Sequence, residues 1–234
     1  MQTKPSTLAD RRAGGASVNA EQAEYDRRWA AEHYGGSGEA GYTANFLAFM
    51  RESLPSSGRA LEVGCGAGEF TGAMAKLGLN ATGVDLSPVG VEKARDRFPD
   101  CDFLVHDLAE APLPFDGATV DATWCSEVLE HLFSPLAAVR DIHRVLKPGG
   151  VAAFTVPYHG LVKNVAIALF AFDKHYDPEY PHIQFFTRKL LKRIVEKAGL
   201  VVEEVRTCGS NLGLRDWVLP TNLLLRARKP GDAS

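Results

Sequence analysis

The sequence predicts an α/β fold in which a mostly parallel sheet carries helices on both faces. Two observations lead to this prediction. Short apolar runs alternate with segments of helical periodicity from about residue 59 onward, and the first of these runs ends in a glycine-rich turn. Strands that alternate with helices through short links form a parallel sheet covered on both sides. We therefore expect ligands to bind at the carboxyl edge of that sheet.

The predicted strands and helices are bounded by polar, proline and glycine residues. Strands are predicted over 59–63, 80–84, 102–105, 119–124, 151–156, 201–206 and 223–228, the last of them antiparallel. Helices are predicted over 21–33, 44–53, 71–76, 87–98, 135–145 and 187–198. Ser87-Pro88 is typical of a helix start, since Ser caps the first turn and Pro fits its first position. A Pro-Gly-Gly turn at residues 148–150 is expected to lead into the fifth strand.

Length and composition limit the classes of protein that fit. The chain of 234 residues is long enough for one α/β domain with an N-terminal extension. The formal net charge of −3 and the lack of a basic block do not favour a nucleic-acid partner. Four scattered cysteines without a C-x-x-C pair are typical of a reducing cytosol, so we expect a cytoplasmic protein. Neither a signal peptide nor an apolar run of membrane-spanning length is visible.

The chain divides into three predicted parts. Residues 1–19 form a polar tail that we expect to be disordered, and residues 20–57 form a helical cap. The α/β domain is predicted over 58–230, with a lid insertion at 157–181. Two aromatic residues four positions apart, Tyr25 and Trp29, lie in the first helix and have two interpretations. They pack on the core, or they cap a ligand pocket.

The glycine-rich turn has the spacing G-x-G-x-G at Gly64, Gly66 and Gly68. A pyrophosphate-binding turn has its third glycine one residue later. Glu62 and Glu69 flank the turn, and no basic residue lies within it, which suits a cationic ligand. The stretch E-V-G-C-G-x-G resembles the first motif of class I S-adenosylmethionine (SAM) methyltransferases, and SAM carries a sulfonium and an ammonium group.

Asp85 ends the second predicted strand, about twenty residues after the glycine turn. An acid at this place accepts hydrogen bonds from ribose hydroxyls in dinucleotide-binding folds. The alternative is an ordinary Asp before a helix in the sequence D-L-S-P.

The resemblance to class I methyltransferases implies a Rossmann-like, seven-stranded sheet of order 3-2-1-4-5-7-6 with an antiparallel last strand. It also implies that Asp107 binds the adenine amino group and that the Leu108 amide faces the ring nitrogen. Residues 146–150 resemble the turn before the family's fifth strand. The cofactor-binding residues implied in this way are Glu62, Gly64, Gly66, Gly68, Asp85, Leu86, Asp107, Leu108 and Ser126.

The residues expected to catalyse the reaction follow the fourth strand. Glu127, Glu130 and His131 lie where a strand turns into a helix, so their side chains can converge above a bound methyl group. His182 lies just before a later helix. Two carboxylates and two imidazoles make a candidate site for a divalent metal.

This pattern, E-x-x-E-H with a later H-x-x-F-F-T, resembles two metal-assisted groups of enzymes. They are the ubiquinone-pathway O-methyltransferases and the Hen-type RNA 2′-O-methyltransferases. Both resemblances imply Glu127, Glu130, His131 and His182 as ligands of Mg²⁺, Mn²⁺ or Zn²⁺. Without a metal, His131 would act as the general base, or the residues would be mainly structural.

The function expected from these features is SAM-dependent O-methylation of a small-molecule hydroxyl on a phenolic, sugar or lipid-linked acceptor. The alternatives are RNA 2′-O-methylation, N- or C-methylation of a metabolite, and SAM binding without catalysis. The low charge disfavours RNA. The apolar stretch at residues 158–172 is expected to form a lid over the acceptor, and it could also touch a lipid surface or a prenyl tail.

Overall fold

The computed structural model of the chain describes residues 20–30, 40–175, 182–209 and 220–231. The tail predicted over residues 1–19 lies outside the described residues. So do the glycine-containing link before the second helix and the last six residues of the predicted insertion.

Seven strands form one sheet. They are β1 (Arg59–Val63), β2 (Asn80–Asp85), β3 (Asp102–Val105), β4 (Val120–Ser126), β5 (Leu146–Pro157), β6 (Val201–Cys208) and β7 (Asn222–Arg228). Their order is β3-β2-β1-β4-β5-β7-β6, which confirms the order implied by the sequence resemblance. β7 is antiparallel to β5 and β6. The other five strands, in the sheet order β3-β2-β1-β4-β5, pair in parallel. The carboxyl ends of β1, β2 and β4 therefore meet at one edge of the sheet.

Eight α-helices accompany the sheet in the described part of the chain. They are α1 (Ala20–Ala30), α2 (Ala40–Ser53), α3 (Glu69–Lys76), α4 (Pro88–Arg97), α5 (Pro135–Val145), α6 (Leu161–Phe170), α7 (Phe172–His175) and α8 (Arg188–Lys197). Successive residues of β1 point to opposite faces. Leu61 and Val63 pack on the side of α5 and α8, and Ala60 packs on the side of α2 and α3. Helices thus cover both faces, as the sequence predicts.

Local capping explains where two of the helices begin. α4 starts after Ser87, whose hydroxyl accepts a 3.1 Å hydrogen bond from the Gly90 amide. α8 starts after Thr187, whose hydroxyl accepts one of 3.3 Å from the Leu190 amide. These contacts satisfy amides that have no partner in the first helical turn.

The predicted start of the fifth strand is wrong, because β5 begins before the Pro-Gly-Gly turn. Leu146 already pairs with Val120, and Val151 pairs with Ala122. Residues 147–150 therefore form a bulge opposite Asp121, and they do not precede the strand. Lys147 holds the bulge in place, since its ammonium lies 2.8 Å from the Asp121 carboxylate.

The apolar stretch after β5 forms α6 and the short helix α7. α6 buries Ile167 and exposes a row of apolar side chains, namely Leu161, Val162, Val165, Leu169 and Phe170. No helix in the described ranges is both long and apolar enough to cross a membrane.

Candidate functional site

The glycine turn between β1 and α3 is pinned to the neighbouring strand. The amides of Gly64 and Cys65 both donate to the Val84 carbonyl, at 2.8 and 2.9 Å. Gly64, Gly66 and Gly68 have φ values of 78°, 46° and 79°, in the left-handed region that favours glycine. The turn is therefore a tight, preformed concavity at the carboxyl edge of β1.

The same turn touches the segment that follows β4. A Cβ atom on Gly64 would lie 2.2 Å from Cγ2 of Val128, which is closer than two non-bonded carbon atoms can approach. The lack of a side chain at Gly64 therefore lets the glycine turn and the end of β4 pack together. This contact connects the predicted cofactor half of the site to the predicted reacting half.

Asp85 lies at the centre of the predicted cofactor half. Its two carboxylate oxygens accept hydrogen bonds from the Gly66 amide, at 2.7 Å, and from the Ser87 amide, at 2.8 Å. Burial raises the pKa of this carboxyl, the two amides oppose the shift, and Asp26 raises it further. The carboxylate is thus held by the glycine turn and the N-terminus of α4 at the place where the sequence predicts a ribose.

Glu62 is predicted as a cofactor-binding residue, but its carboxyl group lies in the interior, with 1% of the residue exposed. It accepts a hydrogen bond from the Thr71 hydroxyl of α3. Burial raises the pKa of Glu62 to about 8. The structure therefore places Glu62 under the glycine turn, where it connects β1 to α3.

The remaining predicted cofactor residues lie along the same edge. The loop after β3 starts next to Asp85, because the His106 amide donates to the Asp85 carbonyl at 2.8 Å. Asp107 follows, and its carboxylate accepts a 2.8 Å hydrogen bond from the Ala109 amide. Leu108 is partly buried against the core. The carboxyl edge therefore brings together the β1, β2 and β3 contributions that the sequence predicts.

Helix α1 covers this edge and reaches both halves of the site. Gln22 donates a 3.4 Å hydrogen bond to the Leu86 carbonyl, and Asp26 accepts one from the Ser87 hydroxyl. Tyr25 packs edge-on against the His131 ring, with centroids 5.9 Å apart. One helix thus contacts the Asp85 loop and the histidine after β4.

Three of the four predicted metal ligands come together. Among the described residues, Glu130, His131 and His182 form the one group of acidic, histidine or cysteine side chains whose ligand atoms converge, all within 4.8 Å of one another. Glu130 Oε1 lies 3.9 Å from Nε2 of His131 and 3.9 Å from Nε2 of His182. Bonds of about 2.0–2.2 Å to one ion would require the three ligand atoms to draw slightly closer together.

Backbone contacts hold His182 in this group although it is far away in the sequence. The amides of Ile183 and Gln184 both donate to the Glu130 carbonyl at 3.0 Å. The Phe186 carbonyl accepts a 2.8 Å hydrogen bond from the His159 amide, next to the end of β5. The segment that carries His182 is therefore fixed between the 3₁₀ turn Leu129–His131 and β5.

The Glu130 carboxyl group is buried beside the two imidazoles. It is 1% exposed, and neither of its oxygens accepts a hydrogen bond within the described part of the chain. Burial, with Glu127 as a second cause, raises the pKa of Glu130 well above its usual range. A buried carboxylate of this kind is stabilised either by a proton or by a bound cation.

Glu127 is the predicted ligand that the structure does not bring into the group. Its oxygens accept hydrogen bonds from the Thr155 hydroxyl at 2.9 Å and from the Asn222 amide at 3.2 Å. Its backbone φ of 54° is unusual for a residue with a side chain. Ser126, predicted on the cofactor side, is 9% exposed and contacts the Thr155 hydroxyl at 2.7 Å.

Sequence reasoning missed Thr155, Asn222 and Lys163. Thr155 and Asn222 lie 28 and 95 residues from Glu127, so no local pattern connects them. Lys163 lies within an apolar helix and is half-buried. The sequence signal that could have singled out Lys163 is that it is the one lysine or arginine in the apolar stretch at 158–172.

Both the sequence and the fold of the chain resemble those of known proteins. The profile of the family described as "Methyltransferase domain" matches residues 37–205, more than half of the chain. The ubiquinone biosynthesis O-methyltransferase of Xanthomonas campestris is 41% identical over 108 residues, which is 43% of each chain. The enzyme of the same name from Xylella fastidiosa is 37% identical over 113 residues, 44% of each chain. The chain thus matches less than half the length of these curated relatives.

Two solved structures show the same fold. A Haloferax volcanii protein solved in complex with the Trm112 methyltransferase activator has a TM-score of 0.69 at 24% identity, over 88% of this chain and 98% of its own. A SAM-dependent methyltransferase from Mesorhizobium loti has a TM-score of 0.65 at 20% identity, over 80% of this chain and 98% of its own. At these identities the similarity supports the seven-stranded architecture.

Proposed function

Since the chain belongs to the methyltransferase-domain family, we propose that it is a SAM-dependent enzyme that methylates a hydroxyl group of a small-molecule acceptor. The names of the ubiquinone biosynthesis relatives support an oxygen as the methylated atom. We further propose that Glu130, His131 and His182 hold a divalent metal at the reacting end, and that His131 serves as the general base if the metal is not required.

The residues at the carboxyl edge fit SAM. The three left-handed glycines form a tight turn at this edge, and Asp85 presents a fixed carboxylate at the end of β2. We assign the ribose to Asp85 and the adenine to Asp107 and Leu108. Gly64, Gly66 and Gly68 would let the cofactor approach the backbone.

The observation that carries the metal assignment is the buried Glu130 carboxyl group between two imidazoles. Its oxygens lack hydrogen-bond partners among the described residues, and its Oε1 is equally distant from both Nε2 atoms. One carboxylate and two imidazoles suit Zn²⁺ or Mn²⁺, and Mg²⁺ would draw more of its ligands from water and acceptor oxygens.

When bound, SAM supplies the methyl group and a divalent ion supplies a Lewis acid that lowers the pKa of a hydroxyl. The protein contributes by orientation. The amides of Ile183 and Gln184 hold the segment that carries His182, and Tyr25 packs against His131. Holding the acceptor oxygen in one direction removes much of the entropic barrier to transfer.

The experiment that tests this proposal measures metal content and SAM binding on the same sample. Chelated protein is reloaded with Mg²⁺, Mn²⁺ or Zn²⁺, and affinity for SAM and S-adenosylhomocysteine is measured by calorimetry. We expect about one equivalent of metal in the wild type. Glu130→Gln and His182→Ala should lose the metal and keep near-native SAM affinity, and His143→Gln on α5 is the matched control.

The possible outcomes separate the parts of the proposal. Metal retained by Glu130→Gln and His182→Ala would refute the ligand assignment and leave His131 as the base. A wild-type protein that binds no SAM would refute the function itself. A panel of phenolic, sugar, amine and RNA acceptors then identifies the methylated group, and methylation of RNA alone would contradict a small-molecule acceptor.

We also propose that helix α6 covers the acceptor, and that its exposed apolar face contacts an apolar tail or a lipid surface. Leu161 is 80% exposed, Leu169 is 68% exposed and Phe170 is 85% exposed, so this face is apolar and open. Vesicle co-sedimentation tests the lipid contact: Leu169→Glu should abolish it, whereas the wild type staying in the supernatant would contradict it. The cytoplasmic location remains a prediction from the cysteine pattern.

A further inference from the structure

Three residues of α1 share one face of that helix and reach the site. Gln22, Tyr25 and Asp26 have the spacing i, i+3 and i+4, which places side chains on the same side of an α-helix. Gln22 donates a 3.4 Å hydrogen bond to the Leu86 carbonyl, and Asp26 accepts one from the Ser87 hydroxyl. This face of α1 therefore packs on the link between β2 and α4.

Ser87 connects this contact to the carboxylate that is proposed to hold the ribose. It is fully buried, its hydroxyl donates to Asp26, and its amide donates to the Asp85 carboxylate at 2.8 Å. Asp26 also raises the pKa of Asp85, so the two carboxylates repel each other. A ligand whose hydroxyl groups donate to Asp85 would reduce this repulsion, and it would thereby stabilise α1 in its packed position.

The same face of α1 contacts the reacting end through Tyr25. The Tyr25 and His131 rings are perpendicular, and their centroids lie 5.9 Å apart. The His131 ring also lies 4.8 Å from that of His182, and its Nε2 lies 3.9 Å from Oε1 of Glu130. Because edge-to-face ring pairs have a preferred geometry, Tyr25 restricts the directions in which this nitrogen can point.

We propose that Tyr25 is a positioning residue for His131, and that α1 couples binding of the cofactor to binding of the metal. The inference rests on the proposed function. A cofactor at Asp85 stabilises the packed position of α1, which holds Tyr25 against His131. The oriented imidazole then completes the metal ligand set. The reacting end is thereby assembled preferentially when the methyl donor is already bound.

The coupling has a defined size and a reciprocal form. An aromatic pair contributes enough free energy to change an affinity about two- to tenfold. We expect Mn²⁺ to bind tighter by about this factor when the protein is saturated with S-adenosylhomocysteine. By linkage, S-adenosylhomocysteine should bind tighter by the same factor when Mn²⁺ is present. Mn²⁺ is the probe because, unlike Zn²⁺, it has little preference for cysteine thiolates.

Calorimetry on the chelated chain measures both factors. Tyr25→Leu should abolish the coupling and leave the affinity for S-adenosylhomocysteine without metal nearly native. Tyr25→Phe keeps the ring and should retain the coupling. Asp26→Ala should abolish it, because α1 then loses its hydrogen bond to Ser87. Lys192→Met, at an exposed ion pair on α8, is the control that should change neither factor.

The ring-proton NMR signals of His131 test the positioning role on metal-free protein. S-adenosylhomocysteine should shift these signals in the wild type and in Tyr25→Phe, because the tyrosine or phenylalanine ring is then held against the imidazole. The shift should be clearly smaller in Tyr25→Leu. His131→Gln identifies the signals, which it removes.

The outcomes separate this inference from the proposed function. Equal Mn²⁺ affinity of the wild type with and without S-adenosylhomocysteine would overturn the coupling, and so would Mn²⁺ binding by neither form. Coupling that survives Tyr25→Leu, or that is lost in Tyr25→Phe, would overturn the role of the ring contact. His131 signals that S-adenosylhomocysteine leaves unchanged would overturn the positioning role. Failure of the wild type to bind S-adenosylhomocysteine would instead refute the proposed function.

Discussion

The Asp85 carboxylate accepts a 2.7 Å hydrogen bond from the amide of Gly66, which ties the end of β2 to the middle of the glycine turn. The Ser87 amide binds the other carboxylate oxygen at 2.8 Å. One side chain therefore fixes both the turn and the start of α4. The ribose assignment and the shape of the turn depend on the same carboxylate.

Replacing Asp85 with Ala should abolish most of the SAM affinity. The variant loses both amide contacts and the proposed ribose contacts, and hydrogen bonds to a charged group contribute about 1.5–3 kcal/mol each. We expect at least about a 100-fold loss in calorimetry. Asp85→Asn should be intermediate, since an amide group has only one acceptor oxygen. Asp96→Ala, at an exposed position on α4, is the control, and near-native affinity of Asp85→Ala would rule out the ribose assignment.

Gly64 and Val128 should show strong energetic coupling. In Gly64→Ala the new Cβ would lie 2.2 Å from Val128 Cγ2, at a backbone φ of 78°. The left-handed backbone costs about 1–2 kcal/mol, and the overlap adds about 1–3 kcal/mol. Val128→Ala removes the overlapping atom. The double variant should therefore recover the cost of the overlap and retain the cost of the left-handed backbone. Chemical denaturation of both single variants and the double variant measures the coupling.

Gly149 provides the matched control for this cycle. Its φ is 77°, and nothing lies within 4 Å of the position where its Cβ would be. Gly149→Ala should therefore lower the free energy of unfolding only by the cost of the left-handed backbone, about 1–2 kcal/mol. Additive effects of Gly64→Ala and Val128→Ala would show that the turn relaxes without contact to Val128.

Local sequence signals were sufficient to predict the strand and helix that position the glycine turn and Asp85. The apolar run and glycine spacing around β1 determine its bounds, and Ser87-Pro88 marks the start of α4 because capping is a local interaction. The Lys147–Gly150 bulge was misjudged, since Pro and Gly indicate a turn but do not reveal that Leu146 already pairs with Val120. The strand order came from the resemblance and could not be derived from periodicity.

The orientation of side chains at the reacting end could not be predicted from sequence. E-x-x-E-H places Glu127 and Glu130 three residues apart, and that spacing alone suggests that they converge. The left-handed backbone at Glu127 and its partners Thr155 and Asn222 direct its carboxylate elsewhere. These partners come from two distant strands, so the separation of Glu127 from the histidines depends on tertiary structure.

Occupancy of the cofactor site should protect α1 from proteolysis. Gln22 and Asp26 contact the Leu86–Ser87 segment, and Tyr25 contacts His131, so a ligand that orders this edge should also hold α1 in place. We expect trypsin to cleave after the exposed Arg27 several-fold more slowly in the presence of S-adenosylhomocysteine. Asp26→Ala should reduce this protection. Equal cleavage rates with and without the ligand would contradict a capping role for α1.

Glu62 should make the protein less stable as the pH rises through neutrality. Its pKa is raised from 4.5 to about 8 in the folded chain, so between those values the folded state holds a proton that the unfolded state has released. The free energy of unfolding therefore falls with increasing pH across this window, by at most about 1.4 kcal/mol per pH unit from this group.

Glu62→Gln keeps an acceptor for the Thr71 hydroxyl and removes the titration. Denaturation from pH 5 to pH 8 should show a shallower decline for this variant than for the wild type or for Glu92→Gln, an exposed control on α4. Parallel profiles for the wild type and Glu62→Gln would mean that Glu62 titrates alike in the folded and unfolded states.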